Sequence, residues 1–173
     1  MFRRSLVALS FAALGFFLSV GFLNAPCEES PSKYVSLDVR TVIDEPNRDL
    51  VLLVEPEQQH LLTIVVGNRE GRAIRDRLLE TPPLFGKRFR PLTHDLLFDV
   101  VQSLNVKVHH VQVDALFQGT FLGSVWLEDA SGGLSRIDAR PSDAMALALA
   151  TDAPIWVHQK VMLEAAHRIP SGS

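Results

Sequence analysis

Residues 137–149 read IDARPSDAMALAL and mark the point where a strand gives way to a buried helix. Proline fits the first position of a helix, because its missing N–H would have no intrahelical partner there. We therefore predict that Pro141 begins a helix. Every residue from 144 to 150 is apolar, and a helix without a polar face must be covered on all sides. This stretch predicts a central helix enclosed by the rest of the domain.

Strands and helices are predicted on both sides of this helix from hydrophobic periodicity and turn residues. The predicted strands cover residues 34–43, 50–54, 61–66, 106–116, 119–128, 134–139 and 155–157. The predicted helices cover residues 67–80, 93–105, 141–151 and 159–167. This order predicts an α+β fold with a mixed, mostly antiparallel sheet packed with about four helices.

The same periodicity assigns buried faces to individual elements. The first strand is expected to bury alternate residues, namely Val35, Leu37, Val39, Thr41 and Ile43. In the strand at 106–116 the apolar phase slips at His109 and His110, which predicts a β-bulge at this pair. The second helix carries apolar residues at helical spacing, namely Leu96, Leu97, Val100, Val101 and Leu104.

The N-terminus has the pattern of an export signal. Arg3 and Arg4 precede an apolar run at residues 6–23, and about 18 such residues are just enough to span a bilayer. We expect residues 1–27 to be a signal peptide or an N-terminal membrane anchor, followed by a linker at 28–33, a domain at 34–168 and a tail at 169–173. The protein would then be exported (periplasmic or secreted) or anchored in the membrane by this segment. A cytoplasmic protein with a misplaced start codon is the alternative.

The composition limits the possible functions of the domain. The chain has 173 residues, of which 47% are hydrophobic and 21% are charged, as in one ordinary globular domain. Its single cysteine excludes an internal disulfide and any zinc site built on several thiolates. Its formal net charge of −3 is unlike that of a strong duplex-DNA binder.

Two motifs carry a resemblance to a known family. Residues 90–95 read RPLTHD and residues 138–148 read DARPSDAMALA. Together they resemble the hallmark of the bifunctional nuclease (BFN) domain family, an R-P-x-T-H-D segment followed by a D-A-R-P-S-D-A run. The resemblance covers about residues 35–166, and it implies the family fold and nuclease activity on both RNA and DNA. The chain departs from the family where Arg72 replaces the second of two acids near the start of the first helix.

Acidic residues from three elements are candidates for the chemistry of such a nuclease. Asp138 ends a strand, Asp143 lies in the first turn of the next helix, and Glu70 lies near the start of the first helix. Carboxylates are ligands that Mg²⁺ and Mn²⁺ prefer, so these three are the candidate metal ligands for a divalent cation. A metal there would polarise a phosphodiester. The candidate catalytic residues are His94, Asp95, Asp138 and Asp143, with His94 as general acid or base.

A purely architectural interpretation of these residues stays open. Asp95 and Asp143 lie in first helical turns, where the helix dipole stabilises a negative charge by about 0.3–1 kcal/mol. Glu70 could act as a capping partner of its own helix. Arg140 could pair with Asp138 or Asp143 and form a rigid corner.

Basic residues are the candidate contacts to a nucleic acid. Lys87, Arg88 and Arg90 form the densest basic cluster of the chain, and Arg140 could hold a phosphate oxygen through its guanidinium fork. With Ser142, these are the predicted substrate-binding residues, and the predicted partner is single-stranded RNA or DNA. Because the domain is acidic, its affinity is expected to be weak and to fall with salt.

A non-catalytic module is the second hypothesis. Its strands carry apolar residues that would suit a subunit interface as well as a core, namely Phe121, Leu122, Val125 and Trp126. The chain would then act as a homo-oligomeric binding or structural protein with the same fold.

Overall fold

The computed structural model of the protein describes residues 33–57, 59–79 and 93–169. The predicted leader, most of the linker and most of the tail lie outside these residues, and so do Lys87, Arg88 and Arg90. Within the described part of the chain, none of the helices has the length and apolar character needed to cross a membrane.

Four helices and one eight-stranded sheet make up the described residues. In chain order the elements are β1 (Tyr34–Glu45), β2 (Arg48–Val54), β3 (His60–Val66), α1 (Asn68–Leu78), α2 (Thr93–Ser103), β4 (Lys107–Phe117), β5 (Thr120–Glu128), β6 (Leu134–Ala139), α3 (Pro141–Thr151), β7 (Ile155–His158), α4 (Gln159–Ala165) and β8 (Ala166–Arg168). The strand order is β6-β5-β4-β7-β1-β2-β3-β8. Only β4 and β7 pair in parallel among these strands. The predicted α+β fold with a mixed, mostly antiparallel sheet is confirmed.

Helix α3 is enclosed, as its apolar sequence predicts. Residues Ala144 to Ala148 are all buried, and the helix packs against α1, β4 and β5. The core around it consists mainly of aliphatic side chains, among them Leu37, Leu53, Leu62, Val111, Val113 and Val157. Each such side chain contributes about 1.5–3 kcal/mol when it leaves water. This burial holds the first turn of α3 against the end of β6.

The predicted inner face of β1 is correct only as far as Val39. The register with β2 shifts between Val39 and Thr41, so the strand adds one residue there and reverses the faces beyond it. As a result Val42 is buried, whereas Thr41 is exposed and the Ile43 side chain is 44% exposed. The prediction for Thr41 and Ile43 was wrong because strict alternation does not allow for a bulge.

The apolar stripe of α2 is largely uncovered by the described residues. Of the residues predicted from its helical spacing, only Val101 is buried, and the other four are 41–66% exposed. Among the described elements α2 packs mainly against α3 and β4, which cover one narrow side of it. Periodicity identifies an apolar face correctly, but it does not say whether another layer lies against that face.

The chain ends differently from the prediction of one helix at 159–167. Helix α4 ends at Ala165, and residues 166–168 form β8 along the edge of β3. Ala166 pairs with Leu62, and Arg168 pairs with His60. The edge of β3 offers unpaired backbone groups, so hydrogen bonds to it replace the last helical turn.

The predicted irregularity at the histidine pair is confirmed. The register between β4 and β5 shifts between Val108 and His110. The His110 ring stacks between Trp126, with centroids 5.4 Å apart, and Trp156, with centroids 4.1 Å apart. His110 is only 5% exposed, and its Nε2 has no hydrogen-bond partner among the described residues.

The burial of His110 predicts a loss of stability in mild acid. Burial, together with the charge of His109, lowers the pKa of His110 from 6.5 to about 4, although Asp114 opposes this. A folded-state pKa below the unfolded value gives stability that is full above pH 6.5 and is lost as the pH falls toward 4. This difference in pKa would be worth about 3.5 kcal/mol without solvent screening, and with screening we expect the free energy of unfolding to fall by about 2 kcal/mol over this range.

Denaturant unfolding of the wild type and of His110→Phe at several pH values tests this prediction. Phenylalanine keeps an aromatic ring between the two tryptophans but cannot bind a proton. The acid-dependent loss should shrink in the variant, and an equal loss in both proteins would contradict the assignment to His110.

Candidate functional site

A cavity of about 930 Å³ opens between α1, α2, the start of α3 and the strands β5 and β6. Its size is within the range of small-molecule sites. Its apolar wall consists of Leu97, Val101, Val125, Leu127, Ile137 and Leu147. Its charged wall includes Arg69, Glu70, Arg72, His94, Arg140 and Asp143. The cavity therefore has one apolar wall and one wall of closely spaced acidic and basic side chains.

The corner between β6 and α3 places Arg140 and Asp143 at this cavity. Arg140 is the residue before the helix, in an extended conformation, and Pro141 occupies the first helical turn. Gly123 on β5 lies beside this corner. A Cβ on Gly123 would lie 2.8 Å from the carbonyl oxygen of Gln112 on β4 and 3.3 Å from the carbonyl oxygen of Ala139 on β6. The absence of a side chain at Gly123 therefore allows the neighbouring strands to approach β5 closely at the end of β6.

The Arg140 guanidinium joins two elements at the mouth of the cavity. Its Nε donates to Oδ2 of Asp143 at 2.8 Å, and one terminal nitrogen donates to Oδ1 of Asp143 at 3.0 Å. The same terminal nitrogen donates to Oε1 of Glu70 at 3.1 Å. A bidentate contact of this kind fixes orientation as well as distance. Arg140 therefore holds the first turns of α1 and α3 together.

His94 contacts the same carboxylate of Asp143. Its Nε2 lies 3.0 Å from Oδ1 of Asp143. Burial alone would raise the pKa of Asp143, but the hydrogen bonds from Arg140 and His94 outweigh it and hold this pKa below its usual value of 3.8. Asp143 also raises the pKa of Arg140. Glu70, His94, Arg140 and Asp143 thus form one cluster. At neutral pH its Asp143 is ionised and orients the His94 ring.

The ionised state of Asp143 determines which nitrogen of His94 carries a proton. A carboxylate can only accept hydrogen bonds, so the Nε2 of His94 must be the donor. In a neutral ring Nδ1 is then the unprotonated nitrogen, and it has no partner among the described residues. The arrangement can orient a general base in the manner of a carboxylate–histidine pair.

Asp95 lies apart from this cluster. Its Oδ1 accepts a hydrogen bond from Arg77 at 2.7 Å, and it does not line the cavity. Consecutive helical residues point about 100° apart. His94 and Asp95 were both predicted as catalytic residues, but on the helix their side chains contact different neighbours: His94 contacts Asp143, and Asp95 contacts Arg77.

Asp138 borders the cavity without joining the cluster. Ile137 and Ala139 on either side of it also line the cavity, and strand residues alternate between faces. Asp138 pairs with Ser124, which does not line the cavity, whereas Ile137 pairs with Val125, which does, so the Asp138 side chain lies on the opposite face of β6. It forms no hydrogen bond or ion pair with Arg140 in the described structure. Ser142 is buried and does not line the cavity.

Two cavity residues were missed by the sequence reasoning. Arg69 and Arg72 lie on α1 on either side of Glu70, and both line the cavity. Their positions next to a predicted site residue, within the first helical turns, were the only available signal. Arg72 had been noted only as a replacement for an acid, whereas in the fold it adds positive charge to the wall.

The three predicted metal ligands do not come together as a metal site. Among the described residues no group of three His, Cys, Asp or Glu side chains could hold a metal ion. Both oxygens of Asp143 and Oε1 of Glu70 accept hydrogen bonds from Arg140. Asp138 points to the other face of its strand. The residues as arranged do not fit a divalent cation, and Mg²⁺ or Mn²⁺ stays a prediction of the sequence.

Comparisons with known proteins support the resemblance. A family model described as the bifunctional nuclease domain matches residues 51–170. Proteins from two strains of Mycobacterium tuberculosis, both described as uncharacterized, are 33% identical to the chain over 141 residues. Each alignment covers 79% of this chain and 80% of the relative.

Proposed function

The chain belongs to the bifunctional nuclease domain family, and from this membership we propose that it hydrolyses phosphodiester bonds in single-stranded RNA or DNA. The observation that carries the proposal is the pair of His94 and Asp143 in a cavity that also contains Arg140. A general base, a carboxylate that orients it and a cationic neighbour are the groups that hydrolysis of a phosphodiester uses.

In the proposed reaction His94 activates a water molecule. Nδ1 of His94 accepts a proton from the water, while Asp143 accepts the hydrogen bond from Nε2 and stabilises the ring as it becomes positively charged. The oxygen of the water then attacks phosphorus, and the bond from phosphorus to the leaving oxygen breaks. The leaving oxygen takes up a proton from solvent and the His94 ring returns its proton to solvent, so the products are a phosphomonoester and a free hydroxyl group, and His94 is again neutral.

Arginine side chains would bind the phosphate. Arg69 and Arg72 line the same cavity, and Arg140 lies at its mouth with its side chain 66% exposed. Guanidinium groups stabilise negative charge that develops on phosphate oxygens. Because few cations take part and the chain is acidic, we expect weak binding that decreases with salt.

Cleavage of labelled single-stranded RNA and DNA by the full chain tests the proposal, with Mn²⁺, with Mg²⁺ and with a chelator. We expect Asp143→Asn to reduce the turnover by about 100-fold or more, since an amide no longer enforces the correct tautomer of His94. Asp152→Asn is the matched control at the other end of α3, where the backbone is left-handed (φ 53°) and asparagine is well tolerated.

Two outcomes would contradict the nuclease proposal. One is a wild-type protein that cleaves neither substrate under any of the three ion conditions. The other is a cleavage rate that is the same in Asp143→Asn, Asp152→Asn and the wild type, which would indicate a contaminating enzyme.

A non-catalytic oligomeric module is the second candidate function. The exposed apolar side chains of α2, with Leu96 58% and Leu104 66% exposed, favour it, because such a face suits a subunit contact. Light scattering would then give a mass above that of one chain, and no cleavage would be seen. Export or membrane anchoring through residues 1–27 remains part of the proposal for either function.

A further inference from the structure

We infer that the guanidinium of Arg140, rather than a bound divalent cation, provides the positive charge between Glu70 and Asp143. The inference concerns the site of the proposed nuclease, and it rests on that proposal only in treating the cavity as functional. It goes further than that proposal because it identifies the positive charge between Glu70 and Asp143, in the absence of substrate, as a side chain of the protein itself.

The first argument is that three of the four carboxylate oxygens of Glu70 and Asp143 already accept hydrogen bonds from Arg140. One nitrogen of Arg140 is shared between Oε1 of Glu70 at 3.1 Å and Oδ1 of Asp143 at 3.0 Å, and Nε occupies Oδ2 at 2.8 Å. The fourth oxygen, Oε2 of Glu70, is packed so closely on Gly67 that a Cβ there would lie 2.5 Å away. A divalent cation needs several free oxygens around one point, so it could bind here only by displacing Arg140.

The second argument is the charge around the cluster. A divalent cation that entered the cavity would meet Arg69 and Arg72 in addition to Arg140. Like charges at these separations repel, and the repulsion is stronger beside an apolar wall than in water. Asp138 also borders the cavity, but its side chain forms no ion pair with these arginines in the described structure. The negative charges of Glu70 and Asp143 are therefore already neutralised by arginines of the chain.

The consequence is a distinct role for Arg140. It spaces the starts of α1 and α3 and, through Asp143, positions His94. A metal ion is the usual means of bridging carboxylates from different elements, and here the corner before α3 provides a tethered charge instead.

Binding of Mn²⁺, followed by electron paramagnetic resonance without any substrate, tests the inference on the full chain. The wild type should bind no Mn²⁺ at this cluster below about 1 mM, a concentration at the weak end of protein sites for hard cations. Glu70→Gln should therefore leave the titration unchanged. Arg140→Gln should bind Mn²⁺ at least about tenfold more tightly than the wild type, because it frees two carboxylates.

Two control variants separate charge from position. Arg140→Lys retains a positive charge and should show no gain. Arg136→Gln, on β6 and paired with Asp114 outside the cavity, should behave as the wild type. The gain in Arg140→Gln should disappear when Glu70→Gln is added to it, with circular dichroism confirming that each variant is folded.

The inference is overturned if the wild type binds Mn²⁺ tightly and Glu70→Gln or Asp143→Asn abolishes this binding. It is also overturned if folded Arg140→Gln binds no more Mn²⁺ than the wild type. Neither measurement involves turnover, so a failure here leaves the nuclease proposal standing, and a failure of the cleavage assay leaves this inference standing.

Discussion

We expect the free energy of unfolding of the Arg75→Ala variant to be about 3–5 kcal/mol lower than that of the wild type. This is the usual loss when one member of a buried ion pair is removed. Asp49 on β2 is only 1% exposed and accepts hydrogen bonds from Arg75 at 2.9 Å and from Asn68 at 2.8 Å. Without Arg75 the carboxylate stays buried with one neutral partner. Denaturant unfolding monitored by circular dichroism measures the effect.

A matched control removes the other partner of the same arginine. Asp44 lies 3.5 Å from Arg75, but its side chain is 71% exposed. Exposed ion pairs contribute about 0–1 kcal/mol, so Asp44→Ala should change the stability little. Equal effects of Arg75→Ala and Asp44→Ala would show that the buried pair does not hold α1 on the sheet.

This pair also bears on the cavity, because it fixes the helix that carries Glu70. Gly71, which follows Glu70 in α1, lies so close to Asp49 that a Cβ there would overlap with the Asp49 carboxylate. The close approach of α1 to β2 thus depends on a glycine, a buried carboxylate and an arginine.

The second large effect is expected on turnover. His94→Gln should lower kcat by about 1000-fold, within the range attributed to a general base, while the affinity for substrate changes much less. Glutamine can still donate a hydrogen bond to Asp143 but cannot take up the proton of water. Single-turnover cleavage of single-stranded RNA measures how much the rate of the chemical step falls.

His60→Gln is the control for this variant. His60 on β3 lies 2.8 Å from Glu55 and forms a similar histidine–carboxylate pair outside the cavity. The His60→Gln variant should cleave the RNA at the wild-type rate. If His94→Gln retained that rate as well, the base would have to be another group, and the proposed role of the His94–Asp143 pair would be wrong.

The candidate site could be predicted from sequence only in part. The sequence predicts Glu70, His94, Arg140 and Asp143 as site residues, because each lies at the start of a helix or at a strand end beside chemically suitable neighbours. Asp95 and Asp138 were chosen for the same reason. In the structure, however, Asp95 binds Arg77 on another side of α2, and Asp138 lies on the opposite face of β6 from Ile137.

The fold was likewise predicted from the sequence only in part. The β-bulge at His109 was predicted because the apolar pattern itself slips there, and the shift in register confirms it. The bulge in β1 was not predicted, because alternation continues through Thr41 and Ile43 although Val42 is the buried residue. A pattern reveals an irregularity only where the side chains themselves change phase.

The sequence by itself determined most of the helices and strands and the burial of α3, because local periodicity, Pro141 and an unbroken apolar run act within a few residues of one another. Only the tertiary structure decided the partners of Arg140. Asp138 and Asp143 were both close to it in the chain, yet it binds Asp143 and Glu70, the latter 70 residues away. Such a choice depends on where two helices meet over the sheet and on which strand face points inward, and packing across the whole domain sets both.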